Sequence, residues 1–289
     1  MIKLNTPGTL NRVAKGITPP LGATVNRIGA TGAVALMASY LELIIGKGCG
    51  SGWDQGEEAA AARVIRERTN AEPVVIDCGA NRGEWTREVR RRLSSDKGTW
   101  IALEPNPGCL PFLESIANLE VIRAAAGEQP GTQPLYTNSS TSGLASLHFR
   151  GDSVARGGEF TATDVQIVTL DSVIRSRSLK HVDFLKMDIE GHELFALRGA
   201  LTALREGCIG ALSFEFGAGN VNSRTFFRDF WELLTPLGFE LRRICPGGVT
   251  TPVLEYYEDC EFFRGVTNYI AILNLDTKLP LANSAHTGA

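Results

Sequence analysis

The hydrophobic pattern changes character near residue 70. Before it there is one long apolar run, 30–46 (ATGAVALMASYLELIIG), and one segment of helical period, 57–68, where Ala61, Val64 and Ile65 recur at i, i+3 and i+4. Within 30–46 a helix puts Leu36, Tyr40, Leu43 and Ile44 on one face and Met37, Leu41 and Ile45 on another, so the apolar stripe is broad. The run is short of the ~20 residues that a membrane span needs, and Glu42 interrupts it. It is expected to be a buried or substrate-covering helix, or a homodimer contact, rather than a stable membrane anchor. Residues 1–29, rich in Gly, Pro, Thr and Asn, read as irregular or extended. Gly46, Gly48, Gly50 and Gly52 alternate in a linker or hinge.

After residue 70 short apolar runs alternate with helical segments. Val74, Val75 and Ile76 are β-branched, bounded by Pro73 and the glycines beyond, and predict a strand. The pattern then predicts helix 84–93, strand 100–103, helix 110–117, strand 120–125 and strand 166–170. Helix 172–178, strand 184–187, helix 193–206, strand 210–216, helix 226–237 and strands 239–244 and 269–273 follow. Residues 127–163 are Gly/Ser/Thr-rich with room for small strands, and a disordered tail is expected from 276. Strand–helix alternation over this length argues an α/β fold with a parallel sheet. The expected division is an extension over 1–70, a catalytic domain over 71–275 and a tail over 276–289.

Composition narrows the function. The chain has 289 residues and a formal net charge of −3, without the basic excess of a nucleic-acid binder. Its six cysteines include no CxxC pair and no zinc-like Cys/His cluster, which points to a reducing, cytoplasmic setting.

Candidate chemistry falls at strand ends, where open α/β sheets bind ligands. In VVIDCGANRGEWT (74–86) a strand runs into Asp77, Gly79 and Gly83 and then a helix. The glycines permit a sharp turn and close backbone approach. A carboxylate there repels a pyrophosphate and suits a cation, and the spacing departs from GxGxxG. Glu104, ending the next strand, can accept hydrogen bonds from both hydroxyls of an adenosine ribose. One acid toward an ammonium and one toward a ribose fits S-adenosylmethionine better than NAD, although an NAD-dependent oxidoreductase remains the rival. In FLKMDIEGHE (184–193), Lys186, Asp188, Glu190, His192 and Glu193 crowd one strand mouth, where ionisable groups are costly unless paired or working.

These motifs, with IALEPNP (101–107), VIRAAAGE (121–128), VQIVTLDSV (165–173), FLKMDIEGHELFALRGA (184–200) and LSFEF (212–216), resemble the FkbM family of S-adenosylmethionine-dependent methyltransferases. The resemblance covers residues 74–216, with Arg82 where the family usually has an aliphatic or aromatic residue. It implies a Rossmann-like class I methyltransferase fold, with a seven-stranded mostly parallel sheet and an N-terminal helical extension. It implies that Asp77, Gly79, Ala80, Asn81 and Gly83 hold the cofactor's methionine part, with Thr86 as a further contact. Glu104 and Asn106 then hold the ribose, Ala125 and Ala126 meet the adenine, and Asp188 faces the methionine end and the acceptor. The family typically methylates hydroxyls of natural products and glycans. His192, Asp188 and Glu190 are the candidate bases, with His192 preferred, and Lys186 orients the acceptor or holds Asp188. Asp188, Glu190 and Glu215 could gather a divalent metal, a reading not favoured beside direct base catalysis. An RNA or protein acceptor is a further alternative that the charge disfavours.

Overall fold

The computed structural model describes residues 18, 20–48, 55–69, 72–150, 160–263 and 265–274. The chain divides into two compact units, 1–44 and 45–289. The first contains helices α1 (Pro20–Arg27) and α2 (Thr31–Ile44), which meet at a 120° bend. Residues 20–27 are therefore helical rather than irregular. No residue of α2 is buried, which overturns the expectation of a buried helix. No single helix among the described residues is long and apolar enough to cross a membrane.

The second unit runs α3 (Gly56–Arg68), β1 (Val74–Cys78), α4 (Glu84–Leu93), β2 (Thr99–Leu103), α5 (Leu110–Glu114), β3 (Glu120–Ile122), β4 (Ala125–Ala126), β5 (Gly131–Thr137) and β6 (Thr161–Val168). It continues α6 (Leu170–Ser176), β7 (Phe184–Met187), α7 (Glu193–Arg198), α8 (Leu201–Arg205), β8 (Ala211–Gly217), α9 (Ala218–Ser223) and α10 (Phe227–Leu234). Strands β9 (Phe239–Ile244), β10 (Thr250–Pro252) and β11 (Val266–Leu273) complete it.

The main sheet has eight strands in the order β10-β9-β11-β8-β7-β1-β2-β3. Strands β3, β2, β1, β7 and β8 are mutually parallel, and β11 inserts antiparallel between β8 and β9. This is the class I methyltransferase order expected for seven strands, with β10 added as a short edge. The predicted strand 120–125 is split: Glu120–Ile122 joins the main sheet, whereas Ala125–Ala126 pairs with β6 in a second sheet of order β4-β6-β5. The predicted helix 193–206 is likewise two helices, separated by Gly199 and Ala200. Residues 49–54 of the glycine linker and the tail from 275 lie outside the described residues.

Strands β1 and β7 are buried on both faces, which explains their continuous apolar runs. Alternate residues point to opposite sides. Ile76 and Leu185 enter the larger core with Leu212, Phe214 and Phe230. Val75 and Phe184 enter a second core with Trp85, Trp100 and the α3 residues Ala61, Val64 and Ile65. Helix α3 thus covers one face of the sheet. The compact unit accordingly begins at Ile45, not at 71. Lys47 reinforces that start through an ion pair with Asp259 at 2.6 Å.

The chain order reverses direction beside β1, between β2 on one side and β7 on the other, so a crevice opens at their carboxyl ends. Two glycines let loops meet there. Gly79 has φ +75°, and a Cβ on it would collide with the Asp188 carbonyl. Gly191 has φ +98°, and a Cβ there would sit 2.5 Å from the Gly219 carbonyl oxygen.

The boundary is testable by truncation. A chain beginning at Ile45 should unfold cooperatively with little loss of stability. A chain beginning at residue 71 should fail to fold, because it loses the buried side chains of α3, worth about 1.5–3 kcal/mol for each of Val64 and Ile65. Thermal melts followed by circular dichroism check this; equal stability of the two truncations would contradict it.

Candidate active site

The crevice is a cavity of about 550 Å³, within the size range of small-molecule sites. Gly79, Ala80, Asn81, Glu104, Ala125, Ala126, Lys186, Asp188, Glu190 and His192 all line it, as the sequence motifs require.

Asp77, Gly83, Thr86 and Asn106 do not line the cavity. Asp77, next to last in β1, lies beneath the turn and is almost fully buried. One of its carboxylate oxygens accepts the Thr86 hydroxyl at 2.6 Å. The other lies 3.4 Å from the Lys186 ammonium. The cation beside Asp77 in this structure is Lys186, so Asp77 and Thr86, expected to contact the cofactor, lie beneath the cavity rather than on its wall. Gly83, at φ +78°, starts α4, and its N–H donates to the Ala80 carbonyl at 2.7 Å. Asn106 braces the turn after β2, accepting the Gly108 N–H at 3.1 Å. Its buried side-chain amide nitrogen has no partner among the described residues.

Lys186 sits 3.4 Å from Asp188 as well, and its ammonium also donates to the Gly79 carbonyl at 3.3 Å. Burial opposes its charge, but Asp77, Asp188 and Glu57 together outweigh that and hold it above the ordinary lysine range. Burial also works against an ionised Asp188, yet Lys186 and a hydrogen bond from Glu215 keep its carboxyl below the usual range.

Glu104 keeps acceptor capacity. Each of its oxygens takes one backbone N–H, from Asn81 at 2.7 Å and from Asn106 at 2.8 Å, and each has a second lone pair to offer. Burial raises its pKa, and those two N–H groups partly offset the rise. Asn81, at φ 47°, also donates from its side chain to the Ser142 carbonyl at 3.1 Å.

The wall opposite comes from the loop after β7 and from 142–150. Glu190, at φ 54°, forms a buried ion pair with Arg150. Burial first and the Asp188 charge second push Glu190 up to about 7, against the pull of Arg150. His192 Nδ1 lies 3.0 Å from His148 Nε2, and its ring stacks on Phe195 with centroids 4.7 Å apart. Burial, helped by His148, pushes His192 down to about 3. Glu193 does not line the cavity, and it accepts the Ile189 N–H at 2.9 Å and the Gly191 N–H at 3.3 Å. Asp188, Glu190 and Glu215 present carboxylate oxygens within 4.8 Å of one another, as their sequence grouping foresaw.

Sequence reasoning missed Glu57. It sits in the first turn of α3, lines the cavity, and accepts hydrogen bonds from Ser213 Oγ at 2.8 Å and Asn268 Nδ2 at 3.3 Å. Burial pushes it up to about 7 despite Lys186. The only signal was an acid at a helix start, which is ordinary. Ser146, His148 and Arg150 were missed too, although the alternation in SLHFR marks them as one side of an extended segment.

The methyltransferase sdnD of Sordaria araneosa is 26% identical over 157 residues, covering 44% of this chain and 60% of that protein. The hexuronic acid methyltransferase AglP of Haloferax volcanii is 27% identical over 155 residues, covering 51% and 58%. The chain thus spans about three-fifths of the length of these curated relatives. Among solved structures, an FkbM methyltransferase from Methylobacillus flagellatus has a TM-score of 0.42 at 18% identity, over 69% of this chain and 43% of that one. The profile of the methyltransferase FkbM domain matches residues 77–241, more than half of the chain and every site motif but α3, and the chain belongs to that family.

Proposed function

We propose that the chain transfers a methyl group from S-adenosylmethionine to a hydroxyl oxygen of a small molecule, either a natural product or a sugar. The observation that carries this reading is Glu104, a buried carboxylate on the cavity wall whose two oxygens each retain a lone pair, as a ribose diol requires. The rest of the donor set fits the same cofactor. Gly79 brings the Asp188 loop against bare backbone at the cavity wall, and Glu57 and Asp188 supply negative charge toward an ammonium and a sulfonium. The AglP relative, a hexuronic acid methyltransferase, supports a sugar-like acceptor.

When bound, S-adenosylmethionine would supply an electrophilic methyl carbon, to which an acceptor oxygen bonds as S-adenosylhomocysteine leaves in line. The chain's own residues perform three tasks. Glu104 holds the ribose, Gly79, Ala80 and Asn81 hold the methionine part, and the small side chains of Ala125 and Ala126 leave room for the adenine. Asp188, kept ionised by Lys186, orients the methyl end, and alignment of this kind removes several kcal/mol of barrier. Glu190 takes the acceptor proton: it lines the cavity, and a pKa of about 7 matches a base working near neutrality. His192 was the preferred base on sequence grounds. Its imidazole is neutral at working pH but binds a proton too weakly, so it serves as a packed wall beside Phe195.

The spacing of Asp188, Glu190 and Glu215 favours one second reading, in which a divalent metal bound there acidifies the acceptor hydroxyl.

Glu104→Gln should weaken S-adenosylhomocysteine binding by about 1.5–3 kcal/mol in calorimetry, because charge-assisted hydrogen bonds to the ribose are lost. Unchanged affinity would move the cofactor elsewhere, and tight NAD binding in its place would turn the reading to the oxidoreductase.

Glu190→Gln should lower turnover by roughly 10²–10⁴ with little change in cofactor affinity, while His192→Ala retains most of the rate. The reverse order would restore His192 as base. Loss of activity in EDTA, with recovery on adding a divalent cation, would establish the metal reading.

A further inference from the structure

Helix α2 belongs to the first unit and carries a large apolar surface. Val34, Leu36, Met37, Tyr40, Leu41 and Ile44 are each between 50% and 67% exposed. At 100° per residue they fall within one half of the helix circumference, whereas Thr31, Gly32, Ala35, Ser39 and Glu42 occupy the other. Leu21 of α1 and Ile28 in the bend are exposed as well.

We propose that α1 and α2 form a docking element for an anionic lipid surface, lying in the plane of the bilayer interface. Three observations select this occupant. The first is geometry: the 14 residues of α2 extend about 21 Å, short of the ~30 Å hydrocarbon core, and the 120° bend breaks the pair. An apolar half-circumference lets a helix sink one side into the interface, and because the opposite face is only weakly polar the attraction to headgroups falls to the basic residues that flank it in the sequence. The second is charge. Residues 1–41 contain Lys3, Arg12, Lys15 and Arg27 and no acidic residue, in a chain whose net charge is −3. Basic residues beside an apolar helix add attraction to anionic headgroups.

The third is the poor fit to a second copy of the chain. Paired helices bury a narrow seam flanked by charges that set register and partner. In α2 the apolar arc is broader than such a seam, and Glu42 is the only charged side chain of the helix. The contact is reversible and peripheral, distinct from a membrane span.

Vesicle flotation of the full chain tests this. It should float with phosphatidylcholine vesicles containing 30% phosphatidylglycerol at low salt, and at least tenfold less with phosphatidylcholine alone. The combined variant Leu36→Glu, Met37→Glu, Leu41→Glu should lose tenfold or more of that binding, and Arg27→Glu should lose several-fold. Both should keep the wild-type thermal melt, since no residue of α2 is buried. Absence of flotation, or equal flotation of the triple variant, would overturn the proposal. A wild-type dimer in light scattering that the triple variant turns to monomer, with no lipid binding, would assign the face to a second copy instead.

Discussion

The structure depends on one buried ammonium. Lys186 sits in β7 directly opposite Asp77 of β1 and Ser213 of β8 in the strand register, so the central strands share one polar row near their carboxyl ends. A buried charge without a partner is strongly destabilising, and removing one member of such a pair leaves the other exposed to that penalty. Lys186 therefore requires Asp77 and Asp188, and Ser213 in the same row holds Glu57 of α3. One cation thereby joins the turn after β1, the loop after β7 and the helix that covers the sheet. These are the segments that frame the cavity.

A second set of contacts fixes the opposite wall, and it follows strand periodicity. Ser146, His148 and Arg150 alternate along an extended segment. The Ser146 hydroxyl donates to the Glu190 carbonyl at 2.8 Å, His148 meets His192, and Arg150 pairs with the Glu190 carboxylate. Three side chains at i, i+2 and i+4 thus hold one loop. That loop carries backbone in the left-handed region at both Glu190 and Gly191, a conformation that isolated chains do not favour for glutamate. The tethers supply what keeps it there.

Much of the fold was legible because its signals are local. β-Branched runs marked β1, an apolar run bounded by a Pro turn marked β2, and Asp77, Glu104 and Asp188 fell at strand ends as read. What was not legible depended on distant partners. Asp77 reads as a ligand for an external cation because its partner, Lys186, lies on another strand; only the register shows that they face each other. Helix α3 reads as part of a separate extension because a helical period shows that one face is apolar, not which sheet it covers. His192 reads as a base because imidazole usually titrates near neutrality, and its burial against His148 and Phe195 follows from packing.

The charge balance of the cavity completes the argument about its ligand. Glu57, Glu58, Glu84, Glu104, Asp188 and Glu190 line it, against Lys186 and Arg82 among the lining residues. Lys186 is committed to Asp77 and Asp188, and Arg82 is paired with Glu84 at the start of α4. The α4 N-terminus, which in dinucleotide folds faces a pyrophosphate, carries an acid, Glu84, in its first turn. A dinucleotide would bring two negative charges against a wall of carboxylates with no free cation among its lining residues to receive them. A ligand with an ammonium and a sulfonium lowers the repulsion that the same carboxylates exert on one another. The acids thereby disfavour a dinucleotide and favour a ligand that carries positive charge.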